Sequence, residues 1–231
     1  MKKTYRILIV SSTDFEIKKF ISKLSTFHFL GHSDSYSKDQ VTIDVLISGI
    51  GIAQTVYHLT KKLSLKSYDL VINAGICGSF TDRLPIGACV HVTSDEFADT
   101  GMSYPDRSFK TLFEEGLMSY DSLPFTKGCL NSGFQMSVGM NLYKAKGITV
   151  NSCSGDSEQI KSRKEHFNAD IESMEGAAVS YVCLSEKVNF IQIRAVSNII
   201  EPRNKERWNI ERATDRLADC LFELIVFNCG L

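Results

Sequence analysis

The chain has 231 residues, enough to bury the core of one large α/β domain, and nothing in it demands a second. Its 26 basic and 27 acidic residues leave no electrostatic footprint for DNA, RNA or an anionic membrane, so a small or neutral ligand is the default partner. Seven cysteines, an odd number without CxxC or Cys/His metal spacing, read as reduced, buried thiols of a cytoplasmic protein, and the apolar run behind the basic start stops at Val10, too short for a signal sequence or a membrane span.

Tyr5 to Val10 is rich in β-branched residues and alternates too little for a half-exposed strand, which predicts a buried central strand. Thr13 or Asp14 then caps a helix to about Leu24. Shorter strands are expected at Phe27 to His32 and Val41 to Ile47, with a polar turn at Ser33 to Gln40 between them. Ser48-Gly49-Ile50-Gly51 bends sharply into a helix from Ile52 to about Leu65. Asp69 to Asn73 is a second buried strand, and Ala74-Gly75-Ile76-Cys77-Gly78-Ser79 after it reads as a glycine-rich turn where backbone can approach a ligand. Such turns are also common for purely steric reasons. Ala88 to Phe97 is extended, and Ala98 to Phe125, with its mixture of Gly, Pro, Asp and Ser, suits a loop or lid. Then come a short strand at Gly128 to Leu130, a short helix at Val138 to Lys146, a strand at Gly147 to Asn151 and a polar helix from Glu158 to Phe167. Gly176 to Lys187 forms a small-residue helix, Asn189 to Val196 the last core strand, and an amphipathic helix from about Trp208 to Phe227 closes the chain. The alternation predicts a single three-layer αβα sandwich over residues 1–231, with a central mixed, mostly parallel sheet.

Ligands of open α/β sheets bind beyond the carboxyl ends of the strands, so polar residues there are the candidates for chemistry. Glu175 opens a helix, where the dipole favours an anion, and could accept hydrogen bonds from ribose hydroxyls. Met174 before it offers an apolar wall. Glu16, one turn into the first helix, could reach the same sheet edge and deprotonate a water. Arg194, which ends an apolar strand in this reading, needs a carboxylate partner or a bound water, and Asn198 just beyond offers an amide to a heterocycle edge. Each also has a plain structural reading: two helix-start carboxylates, a structural ion pair and a turn residue.

Taken together, the spacings resemble the purine nucleoside phosphorylase superfamily, in its nucleosidase branch, along nearly the whole chain. Val10-Ser11-Ser12-Thr13-Asp14-Phe15-Glu16-Ile17 resembles the family's first strand and water-activating Glu, and Ser48-Gly49-Ile50-Gly51 its SGIG turn beside the sugar. Asn73-Ala74-Gly75-Ile76-Cys77-Gly78 is similar to its NxGxxG loop, Met174-Glu175-Gly176-Ala177-Ala178 to its MEGAA segment, and Arg194-Ala195-Val196-Ser197-Asn198 to its RxxSD or RxxSN segment.

The resemblance implies a metal-free and cofactor-free N-glycosyl hydrolase acting on a small nucleoside. Glu16 would activate water, Glu175 hold the ribose hydroxyls, Arg194 orient the water or Glu175, and Asn198 hold the base, with Ile50, Gly75, Met174 and Ser197 lining the sugar and base pocket. It also implies a homodimer or higher homo-oligomer, in which Phe97 to Tyr104 reaches a neighbour's site. Methylthioadenosine/S-adenosylhomocysteine nucleosidases carry an acid at the last position. Asn198 cannot deliver a proton, but its NH2 can donate to N7 or O6 of a 6-oxopurine. The segment Ser197 to Ala213 is similar to the SNxVxxRxxxxW stretch of futalosine hydrolases, which release hypoxanthine from a nucleoside with a carboxyphenyl ketone tail. That implies Arg203 or Arg207 against the tail carboxylate and Trp208, or an aromatic residue of 97 to 113, against its ring. The first turn lacks the Gly-rich turn and Arg that bind phosphate in phosphorylases, so water is the expected nucleophile.

Overall fold

The computed structural model of the protein describes residues 4–31, 35–133 and 142–229. β1 (Tyr5–Ser11) leads through α1 (Asp14–Lys23) to β2 (His28–Phe29), β3 (Ser35–Lys38) and β4 (Val41–Ile47), and α2 (Ile52–Leu65) returns the chain to β5 (Leu70–Ser79). β6 (Cys89–Phe97) precedes a hairpin of β7 (Gly101–Ser103) and β8 (Phe109–Thr111), followed by β9 (Leu130–Asn131) and β10 (Tyr143–Thr149). α3 (Ser157–Phe167), β11 (Ile171–Ser173), α4 (Gly176–Ser185), β12 (Phe190–Ile199) and α5 (Ile210–Cys229) complete the order.

Ile7, Leu8, Ile9 and Val10 are buried on both faces of β1, as a continuous apolar run requires of a central strand. Thr13 caps α1 by accepting the Glu16 N–H at 3.4 Å, so the same turn that starts the helix also sets the backbone of Glu16. α1 buries Ile17 and Phe20, and α5 buries Ala213, Leu217, Leu221 and Leu224 on one sheet face, each leucine contributing roughly 2 kcal/mol. α2 and α4 cover the other face through Leu59, Val179, Val182 and Cys183. Every residue from Gly176 to Ser180 is buried, because small side chains let α4 lie close against the strands.

The main sheet runs β11-β10-β6-β12-β5-β1-β4-β3-β2, with β9 beside β6. β12, β5, β1 and β4 are parallel at its centre, while β6 is antiparallel to β12, so the sheet is mixed. β11 also pairs with β5, which closes β5, β12, β6, β10 and β11 into a ring. This brings residues distant in the chain to one end of the central strands. Among the described residues no helix is long and apolar enough to cross a membrane.

Several elements differ from what the sequence predicts. Ser35 to Lys38 is a strand between β4 and the short β2, not part of a polar turn, and the Ser35 hydroxyl is satisfied by buried Asp44 at 2.7 Å. Ala74 to Ser79 continues β5, because Arg194 and Ile200 fill the space that side chains at Gly75 and Gly78 would need. Tyr143 to Lys146 belongs to β10, which pairs in parallel with β6, whereas residues 138–141 of the expected helix lie outside the described residues. β12 extends to Ile199, so Arg194 sits in its middle and Asn198 within it. α5 begins at Ile210, after Trp208. All seven cysteines are free, but Cys129, Cys153 and Cys229 are only partly buried.

Candidate active site

A cavity of about 340 Å³ opens at the carboxyl ends of β1, β5 and β12, and Glu16, Glu175 and Asn198 all line it. Glu16 is buried and accepts three kinds of donor. The backbone N–H of Ile76 bonds Oε1 at 3.0 Å, the Thr13 hydroxyl bonds Oε2 at 3.1 Å, and the Ser12 hydroxyl makes a shorter contact to Oε2. An acid so supplied with donors is held in one orientation. Ile76, whose side chain has no hydroxyl to offer, thus serves through its backbone.

Glu175 is the N-cap residue of α4, yet its carboxylate makes no capping bond to its own helix. Oε1 instead accepts the Gly51 N–H at 3.0 Å, at the positive end of α2, where Gly51 adopts the left-handed φ of 88°. Burial pushes the Glu175 pKa above the ordinary glutamate range; the Arg194 guanidinium and the Gly51 N–H pull it down, and the charge of Glu16 pushes it up. Arg194 Nη1 lies 3.7 Å from Glu175 Oε2, and Nη2 donates to Asn73 Oδ1 at 3.2 Å. Arg194 is 1% exposed, does not line the cavity and lies behind Glu175.

Gly75 is likewise not in the wall. A Cβ there would collide with Arg194 Nη1 and lie 3.1 Å from Glu16 Oε1, so the glycine is the floor on which both side chains rest. Gly78 lines the cavity in its place. A β-bulge falls between Val196 and Asn198, and bulges re-aim side chains beside sites. Here it turns Asn198 into the cavity. Its Oδ1 accepts from Ser197 Oγ at 2.8 Å and its Nδ2 donates to Ile199 O at 3.2 Å, which leaves the second amide hydrogen available.

Ile50 and Phe15 stand half exposed at the mouth, and Met174 and Ser197 line the interior. Arg203 and Trp208 also line it, with the guanidinium 5.7 Å over the indole, and Arg203 has no carboxylate partner among the described residues. Arg207 does not line it and is paired with Glu201 at 2.8 Å. No residue of 98–125 lines it either; Phe97, Phe113, Phe125 and Tyr181 instead form an aromatic cluster. A larger polar cleft of about 630 Å³ beside α3 holds none of Glu16, Glu175, Arg194 and Asn198, but Phe109 and several residues of 98–103 line it.

Cys153, Ser154 and Glu172 line the cavity without having been singled out from sequence. Glu172 is buried and paired with Arg163 at 3.1 Å, and it accepts the Ser154 N–H at 2.8 Å and the Ser154 hydroxyl at 2.6 Å. The only signal for it was its place two residues before Met174, which an isolated acid cannot distinguish from a surface residue.

A mixed sheet closed by β11 puts three buried acids, Glu16, Glu172 and Glu175, and the amide of Asn198 around one cavity of an α/β protein, and the sequence matches the family described as the phosphorylase superfamily over residues 6–226. The chain belongs to that family. It is 27% identical over 186 residues to a futalosine hydrolase of Streptomyces coelicolor, covering 78% of this chain and 77% of the relative. It is equally, 27%, identical over 214 residues to a 5′-methylthioadenosine/S-adenosylhomocysteine nucleosidase of Haemophilus ducreyi, covering 87% of each. The solved futalosine hydrolase of Helicobacter pylori superposes with a TM-score of 0.76 at 16% identity, covering 96% of this chain and 97% of that one, a likeness of fold.

Proposed function

We propose that the protein hydrolyses the N-glycosidic bond of a purine nucleoside, with futalosine as its substrate and hypoxanthine and dehypoxanthine futalosine as products, a step of menaquinone biosynthesis. The observation that carries this reading is the convergence of Glu16 and Glu175 on one cavity beside an amide. As the bond lengthens, the sugar becomes oxocarbenium-like, and hydroxyl bonds to the Glu175 anion tighten with that charge. Glu16 takes a proton from the water that attacks the anomeric carbon. Asn198 donates to N7 or O6 of the departing base, and Ser197 fixes the amide by donating to its Oδ1. Arg194 holds Glu175 from behind. Ile50 and Met174 wall the sugar, and Arg203 and Trp208 take the carboxyphenyl tail, because a cation without a carboxylate partner lies over an aromatic face in the cavity wall.

Cleavage of methylthioadenosine, S-adenosylhomocysteine or aminofutalosine is the second reading, favoured by the equal identity to the Haemophilus nucleosidase. An adenine-specific site calls for an acid where Asn198 stands. Phosphorolysis is disfavoured because the Glu16 carboxylate occupies the turn after β1, where a phosphate would be repelled. Futalosine, aminofutalosine, methylthioadenosine and inosine are to be incubated with the protein with and without phosphate while free purine is measured. Hypoxanthine from futalosine without phosphate is expected. Preferential cleavage of the adenine compounds, or a requirement for phosphate, would overturn the reading. Arg203→Met should raise KM for futalosine by at least about tenfold and leave that for inosine nearly unchanged, because only futalosine carries a tail for the guanidinium to hold.

A further inference from the structure

Asp95 lies on β6, away from the cavity wall, and is buried along with everything it touches. Two arms of hydrogen bonds leave it. In the first, Gln192 Nε2 donates to Asp95 Oδ2 at 2.8 Å, Asn73 Nδ2 donates to Gln192 Oε1 at 2.8 Å, and Arg194 Nη2 donates to Asn73 Oδ1 at 3.2 Å. In the second, the Thr149 hydroxyl donates to Asp95 Oδ1 at 2.9 Å and accepts the Ala177 N–H, in the first turn of α4, at 2.7 Å. The arms span β6, β10, β12 and β5; the first ends at Arg194 and the second at Ala177, two residues beyond Glu175, the partner of Arg194.

The direction of every bond follows from the ends. A guanidinium only donates, so Asn73 must turn its oxygen to Arg194 and its NH2 to Gln192. Gln192 must then turn its NH2 outward, to a group that only accepts, which an ionised carboxylate does. Arg194 Nε has no hydrogen-bond partner among the described residues, so the guanidinium is oriented through Nη1 and Nη2 alone. Two glycines make room for the junction. A Cβ at Gly147 would lie 2.8 Å from Asp95 Oδ2, and one at Gly176 would collide with Asp95 and Gln192. The glycine beside Glu175 therefore serves the network and not the ligand.

We propose that Asp95 is a positioning residue of the candidate active site, holding through its two arms both the Arg194 guanidinium and the helix start that carries Glu175. Burial, partly offset by Gln192, Thr149 and Arg194, pushes the Asp95 pKa up to about 6, so at neutral pH it is the anion that both donors require. An amide in its place supplies one acceptor, and its NH2 faces a donor. The chain must then reverse, which would bring the Asn73 NH2 against Arg194, or the second arm must give way.

The kinetic part of the test rests on the nucleosidase reading, and the spectroscopic part does not. The guanidinium N–H signals of Arg194, assigned by their loss in Arg194→Met, are to be followed by 1H–15N NMR in the full chain. Asp95→Asn should shift them and speed their exchange with water. Gln192→Met, which cuts only the first arm and adds no charge, should do the same and decides the matter if Asp95→Asn does not fold. In base release, Asp95→Asn should lower kcat at least about tenfold with KM within about threefold, and the same change in the Arg194→Met background should cost less than it does in the parent, because only the Thr149 arm is then left to lose. Unmoved guanidinium signals in both variants, or penalties that multiply in the double variant, would overturn the proposal. Shifted signals in a protein that releases purine from no nucleoside would sustain the network and discard the nucleosidase reading.

Discussion

In the proposed reading Asn198 meets the base with an amide whose Oδ1 faces the Ser197 hydroxyl, which shares its proton with Cys77 O, and whose second amide hydrogen is free to donate to a ligand. A 6-oxopurine offers acceptors at N7 and O6, whereas the 6-amino group of adenine would place donor against donor. Asn198→Asp keeps the Ser197 bond and replaces the donor by an acceptor or a proton source. It should shift the ratio of kcat/KM for aminofutalosine over futalosine by at least about tenfold, read from competitive assays of free adenine and hypoxanthine. An unchanged ratio would mean that another group reads the base. Glu175 has its pKa raised by burial, and an acid that must be ionised to accept from hydroxyls loses its role as pH falls. The acid limb of kcat/KM should therefore lie above the ordinary glutamate range near 4.3.

Among the elements, the turn that leads out of β1 and the glycine-containing second half of β5 do most to shape the site. Thr13 caps α1 and bonds the carboxylate of the residue it caps, so one short stretch both starts a helix and aims an acid. β5 keeps glycine at 75 because Arg194 and Glu16 occupy the space over it. Gly75→Ala should displace both side chains and lower kcat by roughly a hundredfold, while far-ultraviolet circular dichroism stays that of the parent. Parental kinetics would show that the guanidinium has room to move. Glu16, Glu175 and Asn198 were legible in the sequence because each lies in a short segment whose residues jointly place it: a capped helix start, a small-residue helix start and a strand end. Asp95, Glu172 and Ser154 were not, because their roles arise from the order β10-β6-β12 and from β11 meeting β5, pairings between segments far apart in the chain. The half of β10 from Tyr143 to Lys146 is not legible as a strand for a similar reason, since its exposure does not alternate and its place comes from pairing with β6.

For the molecule as a whole, two buried carboxylates oppose each other in the pH dependence of stability. Asp95 has a folded-state pKa raised from 3.8 to about 6, so its contribution is fully present below 3.8 and is lost as pH rises through 6. Asp44 is pushed up by burial, but hydrogen bonds from Lys66, Tyr68 and Ser35 outweigh that and leave it lowered. Its contribution is present above 3.8 and lost as pH falls further. Urea melts of the parent and Asp95→Asn between pH 4 and 7 should show the parent losing roughly 3 kcal/mol relative to the variant as pH rises. A constant difference would mean that Asp95 titrates normally.

The claim on which the function turns is that Glu16 supplies the base for water at a sugar held by Glu175. The most direct measurement is the single-turnover rate of hypoxanthine release from futalosine, without phosphate, by the parent and by Glu16→Gln. A fall of about a hundredfold or more, with substrate binding kept within about threefold, is the expected result. Release by Glu16→Gln at the parental rate would contradict it.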